Sequence, residues 1–333
     1  MAHSDLNKVI VIGPAWVGDM VMAHTLVQLL ARRHNEVHIA APHASAPVAE
    51  RMTEVAGVHW LNMQHGQVAL TERWHTGRRL RSLGFSIAYV LPNSWKSALT
   101  PLFAGIPHRV GWQGESRYGL LTDRRTGVDS YPLMVERYMA LAHPDGELPQ
   151  VPYPTPQLSV DPHNLEAQLE RFHLSKGPAV GICPGAEFGP TKQWPVAHYA
   201  ELASQCQKSG RQVWLFGTAG DKAKCDEIAL KVPEAFNLAG QTTLYDAIDL
   251  LSTCESIVCN DSGLMHVGCA LGVKTVAVFG STSPQFTPPL GQLSEVVEMA
   301  LQCRPCFQRQ CPLGHTRCLT EIVPDRVFER IVG

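Results

Sequence analysis

The chain has 333 residues, of which 45% are hydrophobic and 17% charged, with a formal net charge of -2. That length suits about two domains with separate cores, and the near-neutral balance gives no support for nucleic-acid binding through overall charge. No apolar run approaches the ~20 residues needed to span a bilayer, and residues 1–8 are polar, without the n-region and h-region of a signal peptide, so a cytoplasmic protein is expected.

Residues 8–13 (KVIVIG) are a continuous apolar run expected as a strand, followed by a loop at 14–18 and a helical pattern over 19–32. Further strands are expected at 37–41, 58–61, 87–91 and 109–111, with helices over 93–103 and 131–142. This alternation is the signature of a mainly parallel sheet covered by helices. Residues 143–156 break it with five prolines, which exclude helix and central strand and mark a stiff interdomain linker. The pattern then resumes: helices over 162–172, 195–209, 222–230 and 244–251, strands at 179–183, 212–216 and 236–238. The expected fold class is α/β, two doubly wound Rossmann-like domains facing each other across a cleft, with domains at 1–150 and 151–333. No sequence repeat or low-complexity segment stands out.

The stretch 259–272 (CNDSGLMHVGCALG) organises the second half. Residues 256–258 read as a strand, Asp261 and Ser262 as N-caps, and Leu264, Val267, Ala270 and Leu271 as one helical face, with a strand again at 275–279. A helix N-terminus with unpartnered N–H groups, approached closely over Gly263, suits phosphate. His266 falls one turn beyond Ser262 and can face the same ligand. Ligands bind at the carboxyl ends of strands in such folds, which singles out three more loops. Residues 13–19 carry Asp19, either a dipole-favoured carboxylate or a general base; the glycine spacing is neither a dinucleotide fingerprint nor a P-loop. Residues 183–195 carry Lys192, a point charge for a departing diphosphate. Residues 216–221 carry Asp221, a ribose contact or simply a helix cap.

Lys96, Arg109, Trp112, Arg117, Arg124, Arg125 and Arg137 form a basic, aromatic set in the first half, suited to gripping an anionic sugar or phosphate-bearing acceptor. Six of the ten cysteines are scattered through apolar segments as reduced thiols, whereas Cys303, Cys306, Cys311 and Cys318, with His315 among them, are clustered. A structural metal on these four thiols, an iron–sulfur centre or free thiols are all open; four ligands would leave no catalytic position. No acidic metal pair is apparent, so catalysis is expected to need no cofactor.

Residues 11–20 (VIGPAWVGDM), 91–99 (LPNSWKSAL), 183–190 (CPGAEFGP) and 260–266 (NDSGLMH) together resemble the heptosyltransferases of glycosyltransferase family 9, which have the GT-B fold. The likeness runs from about residue 8 to the last helix, at about 324–332, with the Cys-rich loop at 302–318. It implies inverting transfer of L-glycero-D-manno-heptose from ADP-heptose to the first heptose of the lipopolysaccharide inner core (heptosyl-Kdo2-lipid A). The N-terminal domain would bind the acceptor and the C-terminal domain the donor. Asp19 matches the family's base and Lys192 its lysine near the donor phosphates. Asp261, Ser262, Gly263, Leu264 and His266 match the donor motif, and Asp221 falls near an acidic nucleotide contact. The resemblance leaves the role of the cysteine loop open. It further implies a monomer with peripheral contact at the inner face of the inner membrane through the basic face of the first domain. Family members adding the first heptose, or acting on protein, would share the donor site and differ around Trp112 and Arg117. A sugar-nucleotide epimerase of similar architecture would need no acceptor, and a non-catalytic nucleotide-sugar binder would give no product.

Overall fold

The structure, a computed structural model, describes residues 8–63 and 66–333 and divides into two compact units, Met1–Pro156 and Gln157–Gly333. The first runs β1 (Lys8–Ile12), α1 (Val17–Ala31), β2 (Glu36–Pro42), α2 (Ala46–Glu50), β3 (Val55–Leu61), α3 (Leu70–Arg81), β4 (Ile87–Val90), α4 (Leu99–Phe103), β5 (His108–Trp112), β6 (Asp123–Arg125) and α5 (Met134–Met139). The second runs α6 (Pro162–Arg171), β7 (Ala179–Cys183), α7 (Val196–Lys208), β8 (Gln212–Leu215), α8 (Lys222–Lys231), β9 (Phe236–Asn237) and α9 (Leu244–Leu251). It continues through β10 (Ser256–Asn260), α10 (Gly263–Ala270), β11 (Lys274–Phe279), β12 (Ser294–Glu298), α11 (Arg317–Thr320) and α12 (Pro324–Val332).

Each unit has one six-stranded sheet, ordered β3-β2-β1-β4-β5-β6 in the first and β12-β11-β10-β7-β8-β9 in the second. Every recorded pairing is parallel. Both sheets therefore start in the middle, grow outward on one side, then return to grow on the other. The direction reverses between β1 and β4 and between β7 and β10, and at such a switch point adjacent loops splay apart and leave a crevice. The two halves share this strand order without a detectable sequence repeat, because right-handed crossovers restrict the topologies open to alternating strands and helices.

Central strands covered on both faces must be apolar along their whole length. β7 and β10 are buried at every residue, and Val258 lies opposite Ile182 on one side and Val276 on the other. These side chains join Trp194, Tyr199, Leu202 and Val213 in the second core. Ile10, Ile12, Ala40, Ala88 and Val90 play the same part in the first.

The elements depart from expectation at two helices and two strands. The helix expected over 93–103 is a 3-10 turn, Trp95–Ala98, leading into the short α4. The helix expected over 131–142 starts only at Met134. Pro132 holds residue 131 extended (φ -109, ψ 99), and the Glu136 carboxylate accepts the N–H of Leu133 at 2.9 Å to cap the new start. The strands β6 (DRR) and β12 (SEVVE) were not expected because each carries charged residues, which their places at sheet edges allow. Among the described residues no helix is long and apolar enough to cross a membrane.

Candidate active site

In the second unit the loops after β7 and β10 meet at the switch point. A 3-10 turn, Pro190–Lys192, ends the first loop at its lysine, and the turn after β10 delivers Asp261 and Ser262 to the start of α10. The Lys192 ammonium lies 2.6 Å from Asp261 Oδ2, with the two side chains 15% and 4% exposed. The Thr282 hydroxyl donates to the same oxygen at 2.6 Å. A carboxylate this buried is stable only when paired and hydrogen-bonded. Lys192 is thus fixed beside the first turn of α10, where Ser262, Gly263 and the half-buried Leu264 present backbone amides. Two cations lie over the Phe188 ring, the Lys192 ammonium 5.1 Å and the Arg309 guanidinium 5.4 Å from its centroid.

His266 is buried one turn into α10. Burial drives its pKa down to about 4; Asp261 opposes the shift and Lys192 adds to it. The ring is therefore neutral near pH 7 and leaves Lys192 as the cation there.

Asn260 holds the two loops together. Its side-chain oxygen accepts the Trp194 N–H at 2.9 Å and the Tyr199 hydroxyl at 3.0 Å, and its amide donates to Pro184 O at 2.9 Å. Its terminal-amide chemistry fits one acceptor and two donors, which an aspartate or leucine could not supply. Gly280 is equally constrained, because a Cβ there would lie 2.2 Å from Thr191 O. The Ser281 N–H donates to Thr191 O at 3.0 Å, and the Ser281 carbonyl accepts from Cys306 and Phe307. The Thr191 hydroxyl donates to Gln308 O at 2.5 Å. Arg304 spans the carbonyls of Gly280, Thr282 and Met299 and pairs with Glu298.

The cysteine loop is thus a brace for the residue before Lys192, and of the readings left open for Cys303, Cys306, Cys311 and Cys318 the geometry gives no support to a metal. Among the described residues no group of three or more His, Cys, Asp or Glu is placed to hold an ion. Cys318 turns into the core beside Leu319. The backbone N–H of Thr316, with those of Leu313, His315 and Gly314, closes around the Cys311 thiol and lowers its pKa.

Asp221 caps its own turn: its Oδ2 accepts from the Thr218 N–H at 3.1 Å and hydroxyl at 2.8 Å. The carboxylate packs over Gly185, where a Cβ would lie 2.6 Å from Oδ2, so it stands at the ends of β7 and β8.

In the first unit Asp19 lies in the first turn of α1, after β1, and is half-buried. The buried Tyr138 has its phenol pKa raised, by burial first and by the Asp19 charge second. After β4, Lys96 donates to Gly66 O at 2.6 Å. The other members of the basic set are built into the loops. Arg109 donates to Leu120 O and Ile106 O, and the Trp112 indole to Arg137 O at 2.7 Å. Arg117, 1% exposed, donates to Pro92 O and Trp112 O, and burial lowers its pKa to about 10. Arg125 and Arg137 likewise bond His143 O and Tyr131 O, while Arg124 stacks 3.8 Å from the centroid of Tyr118.

Sequence reasoning missed Asn260, Thr282, Arg304 and Arg309 as parts of this site. Asn260 stood inside the 260–266 stretch and its burial could have been anticipated from the strand before it. Thr282 and Arg304 carry no local signal, since their partners are remote in sequence.

The sequence model of glycosyltransferase family 9 (heptosyltransferase) matches residues 73–317. The chain is 44% identical to lipopolysaccharide heptosyltransferase 2 of Escherichia coli K12 over 339 aligned residues, covering 97% of each. It is 40% identical to lipooligosaccharide heptosyltransferase 2 of Haemophilus ducreyi over 97% of this chain and 98% of that one. A solved structure of E. coli ADP-heptose lps heptosyltransferase II superposes with a TM-score of 0.87 at 43% identity, over 98% of this chain and 97% of the other.

Replacing Asn260 by Ala leaves a buried N–H, a hydroxyl and a carbonyl without partners, and is expected to lower stability by on the order of 3 kcal/mol in urea unfolding; a loss below about 1 kcal/mol would contradict the keystone role. His266 binds its proton more weakly folded than unfolded, so its contribution to stability is lost as pH falls from 6.5 towards 4. Over that window the native chain should lose on the order of 3 kcal/mol more than His266→Gln does, as read from unfolding curves at each pH.

Proposed function

The chain belongs to glycosyltransferase family 9, and from that premise we propose that it transfers L-glycero-D-manno-heptose, with inversion, from ADP-heptose to the first heptose of the lipopolysaccharide inner core. The observation that carries the donor half is the Lys192–Asp261 pair at the first turn of α10, at the switch point of the second sheet. In this reading the diphosphate seats on the amides of Ser262 and Gly263, with Leu264 and neutral His266 beside it and Asp221 at the nucleoside end. Asp261 and Thr282 keep Lys192 aimed at that seat.

Asp19, at the first sheet's own switch point, is the proposed general base. Its carboxylate takes the proton of the acceptor hydroxyl as that oxygen bonds to the anomeric carbon. The anomeric carbon–oxygen bond to phosphate breaks at the same time, from the opposite face, and its electron pair leaves with ADP. The charge that develops there meets the Lys192 ammonium, the two amides and the helix dipole, which are already oriented before reaction. Lys96 provides the acceptor's cationic contact, while Arg109, Trp112 and Arg117 act by fixing the loops around it. The enzyme works as a monomer at the inner face of the inner membrane.

The test is purified protein with ADP-heptose and a panel of truncated core acceptors, with product read by mass. One heptose should be added to the acceptor already bearing a single heptose. Addition only to the heptose-free acceptor would mark the preceding transferase, and change of the donor without acceptor would mark an epimerase. Asp19→Asn should lower kcat by about 10²–10⁴ with ADP-heptose affinity unchanged. Lys192→Met should lower it by about 10²–10³; near-native turnover in either variant removes that residue from the mechanism.

A further inference from the structure

We infer that Arg309, carried by the cysteine loop, is a second phosphate-binding cation of the donor site and grips the outer phosphate, the one bonded to the sugar. The inference rests on the diphosphate seat proposed above, and it gives the cysteine loop a function. Charge balance singles the residue out. Lys192 is the cation at the first turn of α10, but the Asp261 carboxylate at 2.6 Å already matches its charge. Burial leaves His266 neutral near pH 7. The full charges placed at the seat therefore cancel, whereas a diphosphate ester brings a negative charge on each phosphate and gains more as the sugar departs. Arg304 and Arg317, on the same loop, have acids of their own in Glu298 and Glu321, and Lys224 has Asp221. Among the described residues the exposed Arg309 guanidinium forms no ion pair, and its recorded partner is the Phe188 ring.

The loop clamps this arginine against the segment that carries Lys192. Cys306 and Phe307 donate their N–H groups to Ser281 O at 3.0 and 2.9 Å, and Gln308 O accepts the Thr191 hydroxyl at 2.5 Å. At Gly189 the two segments touch, since an added Cβ would lie 2.8 Å from Arg309 O. The backbone there stands at φ 148, ψ 178, a region that in practice only glycine enters. The side chain then leans on Phe188, its guanidinium 5.4 Å from the ring centroid and the Lys192 ammonium 5.1 Å from the same point. The negative face of the ring attracts each cation. The two repel one another, however, and Lys192 alone has a carboxylate. A dianion lying across both takes up the surplus.

The anchors of the loop decide which phosphate Arg309 meets. Ser281 follows β11, whereas Asp221, at the proposed nucleoside end, follows β8. In the sheet β10 and β7 stand between those two strands. Arg309 is thus tied down from the side away from the nucleoside. Its planar fork matches two oxygens of one phosphate, a contact that the point charge of a lysine does not reproduce.

The experiment is calorimetric titration of the full chain with ADP, AMP and adenosine. The native chain should bind ADP more tightly than AMP. Arg309→Met keeps the apolar stem over Phe188 and removes the charge; it should weaken ADP about ten- to a hundredfold. Its affinity for AMP and adenosine and its melting temperature should stay native. In a Lys192→Met background the same loss should persist, because Arg309 acts on the ligand and not through Lys192. Arg317→Gln removes a cation of the same loop that is already paired, and should bind ADP as the native chain does. Native ADP binding by Arg309→Met, an equal loss for AMP, an equal loss in Arg317→Gln, or no loss in the Lys192→Met background would each overturn the inference and leave the diphosphate seat standing. A native chain that binds no ADP would overturn both.

Discussion

The second unit is organised around one buried charge pair. An ammonium and a carboxylate, both largely withdrawn from water, are unfavourable apart and become tolerable only with good geometry and further hydrogen bonds. Lys192 and Asp261 meet that condition through their 2.6 Å contact and the Thr282 hydroxyl. Because the lysine belongs to the loop after β7 and the aspartate to the turn after β10, the pair also fixes two separate pieces of chain against each other. Asn260, one residue earlier, does the same work with neutral groups. The result is a cation held in a fixed place beside a helix N-terminus.

Topology explains why the pair lies where it does. Strands β7 and β10 are neighbours on which the sheet grows in opposite directions, so the loops that follow them are the ones free to diverge and carry side chains. The first sheet repeats the arrangement with β1 and β4, and Asp19 and Lys96 come from the corresponding loops. Two halves with the same strand order have thus put opposite charge on equivalent positions: the Asp19 carboxylate after β1 in one, the Lys192 ammonium after β7 in the other.

Much of this was legible from residue pattern alone. Buried parallel strands are written as uninterrupted apolar runs, and 179–183 and 244–251 were readable to the residue because each is bounded by proline, glycine or a cap. Of the four edge strands, β3 and β9 could be read from their apolar residues, whereas β6 and β12 escaped notice because they carry charged residues. At the site, Lys192 and Asp261 could be singled out one by one from their strand-end positions, but their contact spans remote loops and has no local trace. The basic loop shows what composition leaves out. Its arginines and tryptophan read as a basic, aromatic set, and the structure adds that Arg117 is buried and the Trp112 indole bonds Arg137 O. Composition does not distinguish an arginine that waits for a ligand from one that staples two carbonyls.

The segment from Arg304 to Phe307 makes the same point for cysteine. Its hold on Ser281 and Gly280 runs through main-chain amides, carbonyls and a guanidinium, and all ten cysteines of the chain are free thiols. The form of this splint therefore owes nothing to oxidation, and the lysine it steadies keeps its aim in a reducing milieu.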